Sequence, residues 1–448
     1  MNIRTLLGLA VTAAVAGLAA TASVSMASVN LPRDWDPATV AVNRDPANTF
    51  LLRPGQIVAG PGDAQDVQRL LPDWRQDDQH PFGLTLFTRT PQNPADPAKE
   101  ILAALARVRK GTAGRPQGSA RVAPNYVFVG ESVGGAADAI NFSGEPRVQG
   151  GPGSTARVAK LPAALPLRTT QAGDGQGVKI AVLDTGMFDH AWLTSVQRAP
   201  NSTDVWDADH DGYGDAESGH GTFIAGLIRQ VAPATSVYEV KVLDSHGIGD
   251  DFTVAKAMGQ LPADTDIINL SLGGYTDKDA PPLAIAQAMQ AFGKSRVVVA
   301  AAGNDNSSRP FWPAAFEPVL AVGADEVDAG KWTRADYSNY GPWVDAVARG
   351  SNLQSTFARA KTKLALGELP DPLDPIIAFN GWASWDGTSF ATPIAAALIA
   401  RTMTRVGIGS PLTGEAKLLA GAPAGTQADS PNAVLLDELE GLSDPNDA

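Results

Sequence analysis

From about residue 177 onward, hydrophobic positions occur in short continuous runs that alternate with segments of helical spacing. The runs are rich in β-branched residues, which is typical of strands buried on both faces of a parallel sheet. Helical segments such as 253–260 and 282–291 lie between them. This alternation predicts an α/β fold, a doubly wound parallel sheet with helices on both faces. The predicted strands are 178–183, 237–243, 266–271, 296–302 and 319–324.

A smaller unit with a mixed pattern precedes this region, over residues 28–130. Two amphipathic segments predict helices, and alternating apolar positions predict strands around them. The predicted helices are 63–71, with Asp63 at its N-cap, and a segment that begins at Asp96-Pro97, and the predicted strands are 56–59, 84–88 and 121–129. We therefore expect a small α+β domain. Residues 131–176, rich in Gly, Pro, Ala and Ser, are predicted to link the two units.

The overall composition narrows the classes of function. The length of 448 residues is sufficient for two or three domains. The formal net charge of −13 argues against nucleic acid or an anionic membrane as a partner, because both attract basic surfaces. The chain contains no cysteine, which excludes disulfides and lipid attachment through cysteine.

The first 27 residues have the pattern of a secretory signal peptide. Arg4 is followed by an apolar stretch over 6–20 and by small residues that predict cleavage after Ala22 or Ala27. The alternative is a membrane anchor, but the stretch is shorter than the roughly 20 residues that a spanning helix needs. We therefore expect a secreted, extracellular protein without a stable membrane anchor.

Three glycine-marked segments carry the candidate chemistry. Asp184 directly follows the first predicted strand of the larger unit, and His220 and Ser389 each precede a predicted helix. A serine hydroxyl attacks a carbonyl only when a neutral imidazole takes its proton, and a carboxylate behind the imidazole holds it in the required tautomer. These residue types therefore predict Ser389 as nucleophile, His220 as general base and acid, and Asp184 as the group that orients His220.

The motifs Asp184-Thr185-Gly186, Gly219-His220-Gly221-Thr222 and Gly387-Thr388-Ser389 resemble the catalytic signatures of the subtilisin-like serine proteases. The order Asp, His, Ser separates that family from chymotrypsin-like enzymes and from α/β-hydrolases. The resemblance covers residues 177 to about 405 and implies a serine endopeptidase with polypeptide substrates, acting through an acyl-enzyme. We place its catalytic domain at 177–412 and a C-terminal extension at 413–448.

The resemblance also implies further site residues. Asn304, which follows the predicted strand 296–302, would supply a side-chain donor to the oxyanion, with the backbone N–H of Ser389 as the second donor. The segment Ser271-Leu272-Gly273-Gly274 would bind the substrate backbone as an added strand. An ordinary strand that ends in a Gly-Gly turn is the alternative for that segment.

The unit over 28–130 is similar in its order of elements to the propeptide of this family, which assists folding, inhibits the active site and is cut away. A permanent N-terminal binding domain is the alternative. We expect a monomer that needs no organic cofactor.

An acidic loop leaves a question of metal binding open. Its carboxylates alternate and Gly212 takes the sixth position, as in oxygen-rich Ca²⁺ loops, but Ser218 replaces the usual Glu at the twelfth. The pattern predicts either a structural Ca²⁺ site or an acidic solvated loop. The candidate ligands are Asp207, Asp209, Asp211 and Asp215.

Two other functions remain open at the level of sequence. One is an esterase or peptide ligase that uses the same acyl-enzyme. The other is a catalytically silent binding protein that retains the fold.

Overall fold

The computed structural model describes residues 36, 38–130, 170–292, 295–328, 331–363, 376–425 and 429–436. The predicted signal peptide at 1–27 and residues 131–169 of the predicted linker lie outside the described residues. Among the helices that are described, none combines the length and the hydrophobicity needed to cross a bilayer.

The N-terminal unit is an antiparallel sheet with two helices. Its central strand pairs with three neighbours, and its longer helix packs against that strand. The elements are β1 (Ala41–Asn43), β2 (Phe50–Ala59), α1 (Ala64–Leu70), β3 (Arg75–Gln79), β4 (Thr85–Thr88), α2 (Pro97–Thr112) and β5 (Val122–Gly130). Helix α2 begins as expected, because the side chain of Asp96 accepts the N–H of Lys99 at 3.1 Å.

Two features of this unit differ from the sequence analysis. Strand β3 was not predicted, because its residues are all polar or charged and it pairs only with β4, at the edge of the sheet. Asp63 does occupy the N-cap position of α1, but its side chain caps no backbone N–H of that helix. Its carboxylate instead bonds the guanidinium of Arg115 at 2.7 Å and the N–H of Arg121 at 3.1 Å.

The larger unit is built on a nine-stranded sheet in the order β20-β15-β13-β12-β10-β6-β8-β7, with β14 beside β13. All pairs are parallel except β13 with β14. The strands of this sheet are β6 (Lys179–Asp184), β7 (Gln197–Arg198), β8 (Ser236–Lys241), β10 (Ile267–Leu270), β12 (Val297–Ala301), β13 (Val319–Asp328), β14 (Lys331–Arg334), β15 (Ala346–Arg349) and β20 (Val434–Leu435).

In the described part of this unit, five α-helices and six further short strands complete the architecture. The helices are α3 (His220–Val231), α4 (Asp251–Gln260), α5 (Leu283–Phe292), α6 (Thr388–Val406) and α7 (Pro411–Gly421), and the strands are β9 (Ile248–Asp250), β11 (Leu272–Gly273), β16 (Leu353–Thr356), β17 (Lys361–Lys363), β18 (Ile376–Ala378) and β19 (Trp382–Trp385).

Alternate residues of the central strands face two separate hydrophobic clusters. On β6, Ile180 and Val182 belong to the cluster formed with α3 and α6. Ala181 and Leu183, on the opposite face, belong to the cluster formed with α4, α5 and the N-terminal unit. Helices thus cover both faces of a mostly parallel sheet, and the predicted doubly wound α/β fold is confirmed.

The described residues beyond 412, a region that the sequence analysis assigned to an extension, continue this architecture. Helix α7 packs against α6. Strand β20 pairs with β15 in parallel and forms one edge of the sheet.

The two units are joined by β-sheet pairing. Strand β5 of the N-terminal unit lies between two short strands of the larger one. It pairs antiparallel with β11 through Gly130 and Val129, and antiparallel with β9 through residues 127–129. The end of the N-terminal unit therefore lies beside the carboxyl ends of the central strands, where Asp184 and Ser271 are found.

Candidate active site

Asp184 and His220 form a buried pair at the carboxyl end of the sheet. Asp184 is the last residue of β6 and His220 is the first residue of α3. The Oδ1 atom of Asp184 lies 2.7 Å from Nδ1 of His220, and both side chains are fully buried. A carboxylate at Nδ1 holds a neutral imidazole with its proton on that nitrogen, so that Nε2 carries the lone pair.

Ser389 lies in the first turn of α6, which packs against α3. Its Oγ donates to the carbonyl oxygen of Ser271 at 3.1 Å. Within the part of the chain that the structure describes, Nε2 of His220 has no hydrogen-bond partner. The serine–histidine hydrogen bond is therefore not made in this state, and rotation of the Ser389 side chain about its Cα–Cβ bond would be needed to form it.

Aromatic side chains enclose the imidazole. The ring centroid of His220 lies 5.2 Å from that of Phe390, which follows Ser389, and 5.6 Å from that of Trp385. Phe390 and Trp385 in turn pack against each other at 5.2 Å. This packing places the start of α6 next to the imidazole.

Two glycines set the starts of α3 and α6. Gly219 has φ +91°, and a Cβ there would lie 2.4 Å from a ring carbon of Phe357. Gly387 has φ +153°. The prediction that His220 and Ser389 precede their helices is wrong, since both lie within the first turn. The sequence placed these helical segments at 222–228 and 391–402, so each helix begins a few residues earlier than expected.

Asn304 is oriented by the first residue of α6. Its Oδ1 accepts the backbone N–H of Thr388 at 3.0 Å and the Thr388 hydroxyl at 2.9 Å. The side-chain nitrogen is buried and, among the described residues, makes no hydrogen bond. A buried donor left unbonded costs about 1–3 kcal/mol, and such donors serve catalysis when they meet a developing negative charge.

Further carboxylates lie behind the pair. Asp204 is buried and accepts the N–H of Gly219 at 2.8 Å and the Thr185 hydroxyl at 2.9 Å. Burial raises the pKa of Asp204 to about 7, although Lys241, 3.8 Å away, opposes the rise. Burial, with the charge of Asp184 nearby, also raises the pKa of Glu239 well above its usual range. Burial thus favours the neutral form of Glu239 beside Asp184.

Glu217 is a site residue that the sequence analysis missed. It is fully buried, and its Oε2 lies 3.7 Å from Nε2 of His220. Burial alone would lower the pKa of His220, but the charges of Asp184 and Glu217 outweigh it and raise the pKa to about 8. Its position three residues before His220 was the available signal, because residues so spaced meet around a helix start.

The predicted substrate-binding segment forms one side of a narrow cleft. Ser271 lies between β10 and β11, while Leu272 and Gly273 make up β11. Gly274 exchanges hydrogen bonds with Trp312, with N···O distances of 2.8 and 3.0 Å. Strand β11 pairs with β5, so this segment does accept an extended chain in the structure.

The opposite side of the cleft was not predicted. Strand β9 pairs with β5 on its other edge, and the N–H of Gly130 donates to the carbonyl oxygen of Gly247 at 2.8 Å. The signal in the sequence is the pair of glycines at 247 and 249, on either side of Ile248.

Three of the four candidate metal ligands converge. Single carboxylate oxygens of Asp207, Asp209 and Asp215 lie within 4.8 Å of one another. Asp211 is outside this group, and its Oδ1 accepts the N–H of Tyr213 at 2.8 Å instead. The loop leads directly to the site, because His220 follows Asp215 closely along the chain. Between them, Ser218 donates its N–H to the carbonyl oxygen of Asp215 at 3.1 Å.

Comparisons with known proteins agree with this architecture. A family model described as "Subtilase family" matches residues 175–435. Over 245 residues the chain is 35% identical to a thermophilic serine proteinase of Bacillus sp. (strain AK1), a match that covers 52% of this chain and 53% of that protein. Over 249 residues it is 32% identical to alkaline elastase YaB of Bacillus sp. (strain YaB), covering 52% and 56%. The chain thus spans about half the length of these curated relatives.

A solved structure extends the likeness of fold to the N-terminal unit. Fervidolysin from Fervidobacterium pennivorans, described as a keratinolytic enzyme related to subtilisin, superposes with a TM-score of 0.57. The alignment covers 91% of this chain and 64% of that one, at 21% sequence identity. At this identity the comparison supports the fold alone.

We expect His220 to titrate near pH 8 in the full-length protein carrying Ser389→Ala. The ordinary value is 6.5. The folded chain then holds this proton more tightly than the unfolded chain, so its stabilising effect is complete below pH 6.5 and is lost as the pH rises through about 8. NMR of ¹⁵N-labelled histidine, with five histidines in the chain, measures the titration.

Matched variants separate the two charges that raise this pKa. Glu217→Gln should lower it, and Asp184→Asn should lower it further, since Asp184 has the larger effect. A His220 that titrates at or below pH 6.5 in the parent protein would contradict the buried arrangement.

Proposed function

The chain belongs to the subtilase family. We propose that it is a secreted serine endopeptidase that hydrolyses peptide bonds through an acyl-enzyme on Ser389. The observation that carries the proposal is the buried contact between Asp184 and His220, with Ser389 in the first turn of the adjacent helix. Asn304 lies beside the same turn, with its side-chain nitrogen available to a substrate oxygen.

The proposed reaction begins when Ser389 turns from the carbonyl of Ser271 toward His220. In the neutral imidazole, which predominates above the His220 pKa of about 8, Nε2 takes the hydroxyl proton as Oγ forms a bond to the peptide carbonyl carbon. Asp184 stabilises the imidazolium without taking the proton. The imidazolium then gives the proton to the leaving amine as the C–N bond breaks, and a water molecule repeats the sequence to release the acid and restore Ser389.

The tetrahedral intermediate carries its negative charge on the former carbonyl oxygen. We assign the side-chain nitrogen of Asn304 and the backbone N–H of Ser389 as its two donors. The N–H of Ser389 belongs to the first turn of α6, where the helix dipole also favours negative charge. Because Thr388 holds the amide of Asn304 in place, this donor needs no reorganisation during the reaction.

We further propose that residues 28–130 act as a propeptide that inhibits the enzyme. Strand β5 occupies the cleft between β9 and β11 as an antiparallel partner of both, which is how an extended peptide substrate would be held. Side-chain contacts support this docking, including an ion pair between Arg53 and Asp250 at 3.2 Å. The maturation cut is proposed within 131–176, and the signal peptide at 1–27 is proposed to direct secretion.

The proposal predicts self-maturation that depends on Ser389. Wild type and Ser389→Ala should be expressed with secretion and analysed by N-terminal sequencing, and we expect a shortened wild type and an uncut variant. A fluorophosphonate should label the wild type and not Ser389→Ala. Absence of labelling in a folded wild type would favour a silent binding protein, and identical N-termini beyond residue 130 in both would mean that another protease makes the cut.

The oxyanion assignment predicts a selective loss of turnover in Asn304→Ala. We expect kcat to fall by about 10²–10³-fold, the size seen when the corresponding donor of subtilisin is removed, with little change in KM. Steady-state kinetics on a peptide substrate measure both constants, and fluorophosphonate titration counts the active enzyme. A kcat within a factor of about three of wild type would remove Asn304 from the mechanism.

We also propose that Ca²⁺ binds at Asp207, Asp209 and Asp215 and braces the loop that leads to His220. Carboxylate oxygens are the ligands that Ca²⁺ prefers. At a free Ca²⁺ concentration about 100 times Kd, binding stabilises the folded state by about 2.7 kcal/mol. The melting temperature should therefore be higher in Ca²⁺ than in EDTA.

Isosteric variants give this prediction a control. Asp209→Asn should remove most of the difference in melting temperature, whereas Asp211→Asn, outside the converging group, should keep it. Equal melting temperatures of the parent protein in Ca²⁺ and EDTA would support the acidic solvated loop instead.

A further inference from the structure

The last residue of β5 shows how a substrate would lie beside Glu217. Gly130 pairs with Leu272 on one side, and its N–H donates to the carbonyl oxygen of Gly247 at 2.8 Å on the other. These contacts determine the direction in which a side chain at this position would point. A Cβ on Gly130 would lie 3.4 Å from Oε2 of Glu217 and 3.5 Å from Cδ1 of Leu243, both ordinary van der Waals distances.

The carboxylate of Glu217 is held in this place by its surroundings. The N–H of Glu217 donates to the carbonyl oxygen of Ser245 at 2.9 Å, and its own carbonyl oxygen accepts the N–H of His220 at 3.0 Å. A Cβ on Gly247 would lie 2.4 Å from Cγ of Glu217, so only glycine leaves room for this side chain. These contacts hold the backbone and the stem of Glu217, and its carboxylate lines the cleft beside Gly130.

Resting on the proposed peptidase function, we propose that Glu217 and Leu243 form a side-chain subsite that selects lysine or arginine at the substrate position taken here by Gly130. The aliphatic stem of such a side chain would pack on Leu243, and its positive charge would be attracted by the nearby carboxylate of Glu217. A glutamate or aspartate at the same position would meet a like charge in a poorly hydrated place, which is unfavourable. Glycine, as in the protein's own strand, fits and uses neither contact.

The subsite can be tested without any turnover. In the full-length Ser389→Ala protein, Gly130→Lys and Gly130→Met place side chains of similar length in the proposed subsite, and only the first is charged. With Glu217 present, we expect the lysine variant to melt about 2 °C or more above the methionine variant. In the Glu217→Gln background this difference should disappear. Equal melting temperatures of the two variants with Glu217 present would overturn the proposal.

A second measurement tests the subsite with peptide substrates. Peptides of the sequence 124–133, with Gly, Lys, norleucine or Glu in place of Gly130, are offered to mature wild type and to mature Glu217→Gln. We expect kcat/KM for lysine to exceed that for norleucine by about tenfold in wild type, and this ratio to fall below about two in Glu217→Gln. Glutamate should be the poorest of the four in wild type and should improve in the variant.

The two measurements separate the two proposals. A charge-dependent melting difference together with no cleavage of any peptide would keep the subsite and remove the peptidase function. Cleavage of all four peptides with no advantage of lysine over norleucine, or with the same advantage in Glu217→Gln, would keep the peptidase function and overturn the subsite.

Discussion

The hydrogen bond between Asp184 and His220 is the interaction on which the arrangement of the site depends. It joins the end of β6 to the start of α3 inside the protein, at 2.7 Å and away from water. Burying a carboxylate beside an imidazole is unfavourable unless both are well bonded. The surrounding groups meet part of this need, since Thr185 donates its N–H to Oδ1 of Asp184. Among the described residues, Oδ2 of Asp184 and Nε2 of His220 make no hydrogen bond.

The same constraint explains why so many acidic groups can gather in one place. Asp204 and Glu239 both have raised pKa values because they are buried. Lys241 supplies positive charge beside Asp204. The charge that reaches His220 therefore comes mainly from Asp184 and Glu217, one on each nitrogen of the ring.

The cleft links this pair to the N-terminal unit. Without β5, the facing edges of β9 and β11 would have unpaired backbone N–H and C=O groups. Strand β5 pairs with both edges. Residues with little side-chain bulk, Gly247 and Gly273, allow the backbones to approach this closely. At Gly273 a Cβ would lie 2.2 Å from a ring carbon of Phe311. The geometry that would hold a peptide substrate is thus the geometry that holds the protein's own strand.

The sequence by itself determined the fold and the residue types of the site. Buried parallel strands have continuous runs rich in β-branched residues, which made 178–183 and 296–302 recognisable as strands. Short glycine-marked motifs identified Asp184, His220 and Ser389. Polar edge strands have no such pattern, which is why β3 was missed. Only the tertiary structure decided that Glu217 and Asp204 are buried beside the imidazole, and that β5 fills the cleft. The sequence does not show whether a carboxylate faces water or a histidine, because its burial depends on segments that are distant along the chain.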